Sequence, residues 1–469
     1  MTRIPRAATC LAWSALLLTA FAACEDYNYS PGAGRQDVTY YLIVSEPTGD
    51  IRQPRLGVVW DISRPERCEL RPLLQLRSMG VEAILPAGSA LDMPVLFPDP
   101  AADPANPSSY SFTGADSTMQ LIREAGLDPM LSISIDECLM EFRDSTAQRG
   151  SDCADALTAV TSGLVGHFAD AGVRDEAVIA RVELTGGLSG SCSLEEMPAA
   201  GSNLLNAMSA LMREFPSMPV GGGGFGEDVA DSLLTDAKRF IRECAETDTR
   251  PAFISCRLET DDPLRYAGLG RELRSTLDEQ GIAGMELLLS GWGPPARALN
   301  GQTPSMALLT ASWMQIQDAG FTEIYLTATA DWACSNDGTP SSVLGLFALW
   351  QECAKHPVRL GTGITMDGDQ WSAPVGAETL WALAGEDSRG ELAILLANLT
   401  ADTVRVDLSL LTPGLLAGFS DSVIRIDPLN GGLMRRPLDD GPLEIMPDEA
   451  LLVIAAPELP GADTPGRRL

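Results

Sequence analysis

The feature that most constrains this chain is a unit repeated eight times after residue 50. A short apolar run is followed by an amphipathic stretch, often by a glycine, and then by the next apolar run. The runs are Leu56–Trp60, Val81–Leu85, Met130–Ile135, Val178–Leu184, Met218–Gly221, Ala252–Cys256, Met285–Ser290 and Glu323–Thr327. Between them the period lengthens to that of a helix. Leu157, Val160, Leu164 and Phe168 share one face, as do Leu204, Met208, Leu211 and Phe215. Gly80, Gly126, Gly172, Gly281 and Gly320 each stand between a helical pattern and the next strand, where a chain leaving a helix commonly needs positive φ. Eight alternating strands and helices predict an α/β fold, a parallel (β/α)8 barrel.

The period changes again after His356. Glu391–Asn398, Thr403–Leu408, Val423–Ile426 and Ala450–Ala455 read as strands separated by Gly, Pro, Asp and Asn, the pattern of a small antiparallel β-sandwich. The early strand Thr39–Ser45 precedes the barrel and can pair into that sandwich. The expected organisation is a leader (1–23), a tether (24–38), a strand joining the sandwich (39–50), the barrel (51–356), the sandwich (357–457) and a disordered tail (458–469).

Arg3 and Arg6 precede an apolar stretch from Leu11 to Ala23, too short to span a bilayer comfortably, and Phe21-Ala22-Ala23-Cys24 has small residues before a cysteine. This looks like a bacterial lipoprotein signal, with Cys24 as the lipidation site and the membrane as partner through its lipid. Ordinary secretion with cleavage nearby is the alternative. Apart from Cys10 and Cys24 there are eight cysteines, Cys68, Cys138, Cys153, Cys192, Cys244, Cys256, Cys334 and Cys353, an even set that in an exported chain suggests disulfides. Two histidines, His167 and His356, and no Cys-x-x-Cys pattern argue against a histidine-rich or zinc-finger metal site, and no cofactor motif is present. Gly221–Gly224 lacks the Gly-Lys-Ser/Thr ending of a phosphate loop and reads as a tight strand-to-helix turn. A net charge of −31 argues against nucleic acid as a partner.

Several segments resemble glycoside hydrolase family 39, the β-xylosidase and iduronidase group. Tyr110-Ser-Phe-Thr-Gly-Ala-Asp116 and Glu124-Ala-Gly-Leu-Asp-Pro129 are similar to the run into that family's third strand. Met218-Pro-Val-Gly-Gly-Gly223, Ala252-Phe-Ile-Ser255 and Leu289-Ser-Gly-Trp292 are similar to its fifth, sixth and seventh strands. Val343-Leu-Gly-Leu-Phe347 is similar to the segment after the eighth, and Glu391–Asn398 to the sandwich entry. The similarity is collinear over residues 40–430. It implies a barrel with an attached sandwich, and it says more about fold than about activity.

The catalytic carboxylates that the resemblance implies are missing. A retaining glycosidase needs an acid/base and a nucleophile about 5–5.5 Å apart. The family's Trp-Asn-Glu-Pro motif falls on Val182-Glu183-Leu184-Thr185-Gly186-Gly187-Leu188, so Gly187 takes the acid/base position and Glu183 matches a non-catalytic acid before it. The Thr-Glu-Trp motif falls on Ser290-Gly291-Trp292, so Gly291 takes the nucleophile position. The family's Arg-x-His-Gly corresponds to Leu85-Pro86-Ala87-Gly88, and its His-x-Tyr to Arg257-Leu258-Glu259.

Other acids fall near strand ends: Asp61, Asp136, Glu137, Glu183, Glu259 and Asp331. Acids in such loops often cap helices, but Glu183, Glu259 and Asp331 are the candidates for relocated catalytic carboxylates. Trp60, Trp292 and Trp332, with Asp136 and Glu137, are candidate substrate contacts, because an indole face can stack on a sugar ring. Three readings follow. One is a degenerate glycosidase barrel that binds a glycan or a cell-surface protein in the cell envelope. The second is an active β-glycosidase with relocated acids. The third is a structural envelope lipoprotein.

Overall fold

The computed structural model describes residues 39–61, 69–135, 150–169, 178–186, 200–226, 232–295, 303–327, 342–366, 370–372, 379–408, 419–426, 432–438 and 441–457. A strand, β1 (Thr39–Asp50), comes first. Then β2 (Arg55–Asp61), β3 (Ala83–Ala87), β4 (Asp128–Ser134), β5 (Arg181–Thr185), β6 (Val220–Gly226), β7 (Phe253–Glu259), β8 (Glu286–Gly293) and β9 (Glu323–Thr327) close into a parallel barrel in sequence order. A helix follows each: α1 (Leu70–Ser78), α2 (Thr113–Glu124), α3 (Gly150–Ala169), α4 (Ala200–Glu214), α5 (Ser232–Glu246), α6 (Leu264–Glu279), α7 (Met306–Ala319) and α8 (Gly345–Ala354). The expected (β/α)8 barrel is the fold observed, and the strand expected at Glu323–Thr327 has those bounds.

Strand alternation divides each barrel strand between two environments. Outward residues such as Val58, Ile133, Leu184, Ile254, Leu289 and Leu326 join the helices in one large core. Inward residues Val59, Ala83, Leu85, Met130, Phe253, Leu288 and Tyr325 fill the barrel itself. Because both sides of each strand are covered, the strands read as almost continuous apolar runs rather than as a polar/apolar alternation.

The remaining strands form one curled, mainly antiparallel sheet. They are β10 (Val358–Met366), β11 (Gln370–Ser372), β12 (Leu380–Glu386), β13 (Leu392–Asn398), β14 (Val404–Asp407), β15 (Phe419–Ile426), β16 (Leu433–Pro437), β17 (Leu443–Ile445) and β18 (Ala450–Pro457). β1 lies inside this sheet, antiparallel to β10 and parallel to β14. The seven residues of β13 are all buried, and the reason is geometric. Leu392, Ile394 and Leu396 face the interior of the curl, while Ala393, Leu395 and Ala397 face the core shared with the barrel helices. At that seam the buried His356 places Nε2 3.0 Å from Glu391 Oε1 and Nδ1 3.3 Å from the Glu352 carbonyl.

The cysteines correct one expectation. Cys244, Cys256 and Cys353 are buried free thiols, not disulfide partners. They sit on faces that pack apolar core, and burial pushes the thiols of Cys244 and Cys353 up to about 12 and that of Cys256 higher still. The other five of the eight, and Cys24, have side chains outside the described residues. No helix among the described residues is long and apolar enough to cross a membrane.

Candidate functional site

The barrel has a charged floor, an apolar middle and a polar mouth. The floor forms at the amino-terminal strand ends. Arg55 pairs with Asp128 and lies 3.5 Å from Glu323. Arg181 reaches Glu286 at 2.6 Å and Glu323 at 3.0 Å, with its guanidinium carbon 5.6 Å from the centre of the Phe253 ring. Tyr325 donates its hydroxyl to Glu323 Oε1. Burial, and then the Glu323 charge, hold that phenol well above its ordinary range. The Val59–Phe253–Tyr325 cluster seals the middle.

Above it the inward positions become small or polar. Glu183 is in register with Ser132 on one side and Gly221 on the other. It is 1% exposed, and its Oε1 is buried with no hydrogen-bond partner among the described residues. One step nearer the mouth lie Ser134, Thr185 and Gly223. Glycine is obligatory where β6 crosses β5: Gly222 has φ +142°, and a side chain there would meet the Leu184 carbonyl oxygen at 2.0 Å. The expected strand-to-helix turn at Gly221–Gly224 is therefore corrected, since these glycines lie within β6 itself.

At the mouth end of β7 and β8, Arg257 is paired in register with Gly291. A Cβ built on Gly291 would lie 2.6 Å from Arg257 Nε and 3.0 Å from Thr327 Oγ1, so all three residues face the barrel axis. Arg257 is exposed, and no ion pair links it to a described residue. Thr327 Oγ1 is buried without a hydrogen-bond partner among the described residues. Glu259, two residues beyond Arg257, is partly buried at the rim, and Asp61 ends β2 beside Ala87.

Two expected substrate contacts are corrected. Counting in twos from inward Leu288 would bring Trp292 inward, but the register shifts in the β7–β8 and β8–β9 pairing at this point, and Trp292 points outward, fully buried. Its ring meets Tyr266 edge-on at 6.1 Å and lies 6.0 Å from Trp350. Trp60, next to Asp61, is 1% exposed in the same outer core. Neither offers an indole face at the mouth. Asp136, Glu137, Gly187, Asp331 and Trp332 lie outside the described residues. Sequence reading named Arg257 only as the place of a missing histidine and did not single out Thr327. Counting in twos from the inward Phe253 and Tyr325 would have put both at the mouth.

The barrel and its curled sheet have the fold of several solved glycosidases, family 39 enzymes among them. The structure superposes on a glucosidase from Croceicoccus marinus with a TM-score of 0.59 and 19% identity, covering 90% of this chain and 100% of that one. A family 39 β-xylosidase from Caulobacter crescentus gives a TM-score of 0.56 at 12% identity, over 89% and 100% of the two chains. A family 51 α-L-arabinofuranosidase from Bifidobacterium longum gives 0.54 at 14%, over 89% and 99%. At these identities the likeness establishes the fold. No family profile matches the sequence, and no curated protein matches it either.

Proposed function

We propose that this protein is a glycosidase-fold binding protein of the bacterial cell envelope, exported and lipid-anchored through Cys24, that engages a glycan without hydrolysing it. The observation that carries this reading is the β7–β8 corner of the mouth. The residue aligned with the family's nucleophile is Gly291, it faces the axis, and a cationic side chain lies over it. An arginine can bind a sugar hydroxyl or an anion but cannot attack an anomeric carbon. The other aligned position, Gly187, has no carboxyl group by its chemistry. The alternative of relocated carboxylates is weakly supported: Glu183 lies a layer below the corner and is almost wholly buried, whereas Glu259 stands at the rim.

The purified full chain should bind at least one member of a panel of plant and bacterial oligosaccharides and should release no reducing ends from any of them. Turnover of an aryl β-glycoside that is abolished by Glu183→Gln, Glu259→Gln or Asp331→Asn would replace this reading with the enzymatic one. A flat response across the panel would remove the glycan and leave a surface protein as the partner to seek.

A further inference from the structure

The curled sheet lies beside the barrel with a fixed polarity, and α7 sets it. Like the other barrel helices, α7 starts at the mouth end and finishes at the floor. At its start, Ala307 donates its backbone N–H to the Asp448 carbonyl, 3.2 Å away, and Asp448 donates to the carbonyl of Asn398, the last residue of β13. At its end, Asp318 pairs with Arg359 near the start of β10. The sheet therefore has a mouth-side end at Asn398 and Asp448, and a floor-side end at Arg359. β1 runs between the two. Gly49 is in register with Arg359, and Thr39 is at the other end, beside Arg405. The strand from Gly49 back to Thr39 covers about 30 Å. α7 is only about 20 Å long, so Thr39 stands at or beyond the level of the mouth.

The chain thus enters its fold on the mouth side. With Cys24 lipidated, the segment 24–38 joins the bilayer to this point. A linker of that length reaches at most about 50 Å and averages about 20 Å. The body is taller than that average, since α3 alone is about 30 Å long. Turning the floor to the bilayer would stretch the linker past the whole height of the body.

Exposed apolar side chains collect on the same side. Among the described residues the large ones are Leu74, Val95, Leu264 and Met446. Met446 lies just beyond the row formed by Thr39, Arg405 and Glu444. Val95 is on the short helix Met93–Leu96 that follows the mouth end of β3, and Leu264 opens α6. Three of these four side chains therefore sit on the mouth side, where a bilayer surface can cover them. The net charge of −31 opposes adsorption onto anionic headgroups, so the linker and not a basic patch supplies the attachment.

We infer that the anchored chain turns its barrel mouth toward the bilayer that holds it, and that the surface meeting the bilayer is the mouth-side rim at Val95, Leu264 and Met446. This rests on the reading of Cys24 as the lipid anchor. A glycan taken by the mouth is then one displayed within the linker's reach of that membrane surface.

The test places the full lipidated chain in phosphatidylcholine nanodiscs whose headgroups carry an acceptor dye. The donor dye is attached through a bioorthogonal amino acid, either at Asp261 beside the mouth or at Glu279 at the floor end of α6; both positions are exposed. They lie about 25 Å apart along the helix, and energy transfer from Asp261 should be at least about twofold greater. Inserting about forty Gly/Ser residues after residue 38 should shrink that difference. Replacing Val95, Leu264 and Met446 together by Asp should lower transfer from Asp261 without changing lipidation. Equal transfer from the two positions, or more from Glu279, in a chain whose mass shows the lipid on Cys24, overturns the orientation and leaves the anchor reading standing. A mass without the lipid overturns both.

Discussion

The two ends of this barrel treat charge in opposite ways. At the floor, Arg55, Arg123, Arg181, Asp128, Glu286 and Glu323 are tied into a continuous network. At the mouth, Glu183 and Thr327 keep buried oxygens without partners among the described residues, and Arg257 stands exposed over a glycine. The floor is held by paired charges, although Glu323 Oε2 lacks a well-aligned hydrogen bond with Arg181 Nε 3.0 Å away. These polar groups of the mouth have no charged partner among the described residues. That asymmetry matches the general division of this fold, in which the carboxyl ends of the strands carry the site and the amino ends carry stability.

The comparison breaks most sharply if arginine is truncated at each end in turn. Arg181→Ala leaves the buried Glu323 with only Arg55 and the Tyr325 hydroxyl, and should cost about 1.5–3 kcal/mol in denaturant unfolding. Arg257→Ala, by contrast, should stay within about 0.5 kcal/mol of the parent, as for an exposed residue with no ion pair to a described residue. If both variants unfold alike, the division between the ends is wrong.

A pH titration sharpens the same contrast. Burial and the Glu323 charge raise the Tyr325 pKa above its unfolded value of about 10, so the folded chain keeps a proton that the unfolded chain releases. This contribution is whole below about pH 10 and is lost as pH rises further, at about 1.4 kcal/mol per pH unit. Tyr325→Phe should remove that share of the alkaline slope in pH-dependent unfolding. No comparable change should follow from Thr327→Val at the mouth.

Smaller effects are expected from Glu183. Replacing it with Gln exchanges a buried carboxyl group, whose Oε1 has no partner among the described residues, for a neutral amide, so stability should rise by about 1 kcal/mol. A fall of similar size would mean that a bound cation or solvent completes the carboxylate in solution. At the seam with the sheet, His356→Ala should cost about 1–3 kcal/mol through the lost contacts to Glu391 and Glu352, read by the thermal midpoint.

Most of the barrel was legible because its signal is repeated. Eight strands buried on two sides produce eight apolar runs, and misplacing an edge by two residues changes nothing about the topology. The curled sheet was read less completely. β13 and β18 announce themselves by two-sided burial, but β10 is interrupted by Gly361 and Gly363, and β16 is the edge sequence Leu-Met-Arg-Arg-Pro. Their pairing depends on β1, β12 and β15, which no local pattern encodes.

The candidate site was half legible. The resemblance pointed to Gly291, which lies at the mouth, and to Gly187, which lies outside the described residues, whereas Arg257 and Thr327 are single residues without a motif. Trp60 misled because indole chemistry was weighed ahead of strand parity, which sends it outward from beside Asp61. Trp292 could not be read by parity at all, because an irregularity in β8 reverses it.

The placement of β1 bears on how such a chain is made. It leaves a ribosome or a translocation channel before any barrel strand, yet its antiparallel partner, β10, follows roughly 300 residues later. The two strands therefore close a circuit that encloses the whole barrel, and a chain truncated anywhere within the barrel lacks both neighbours of β1.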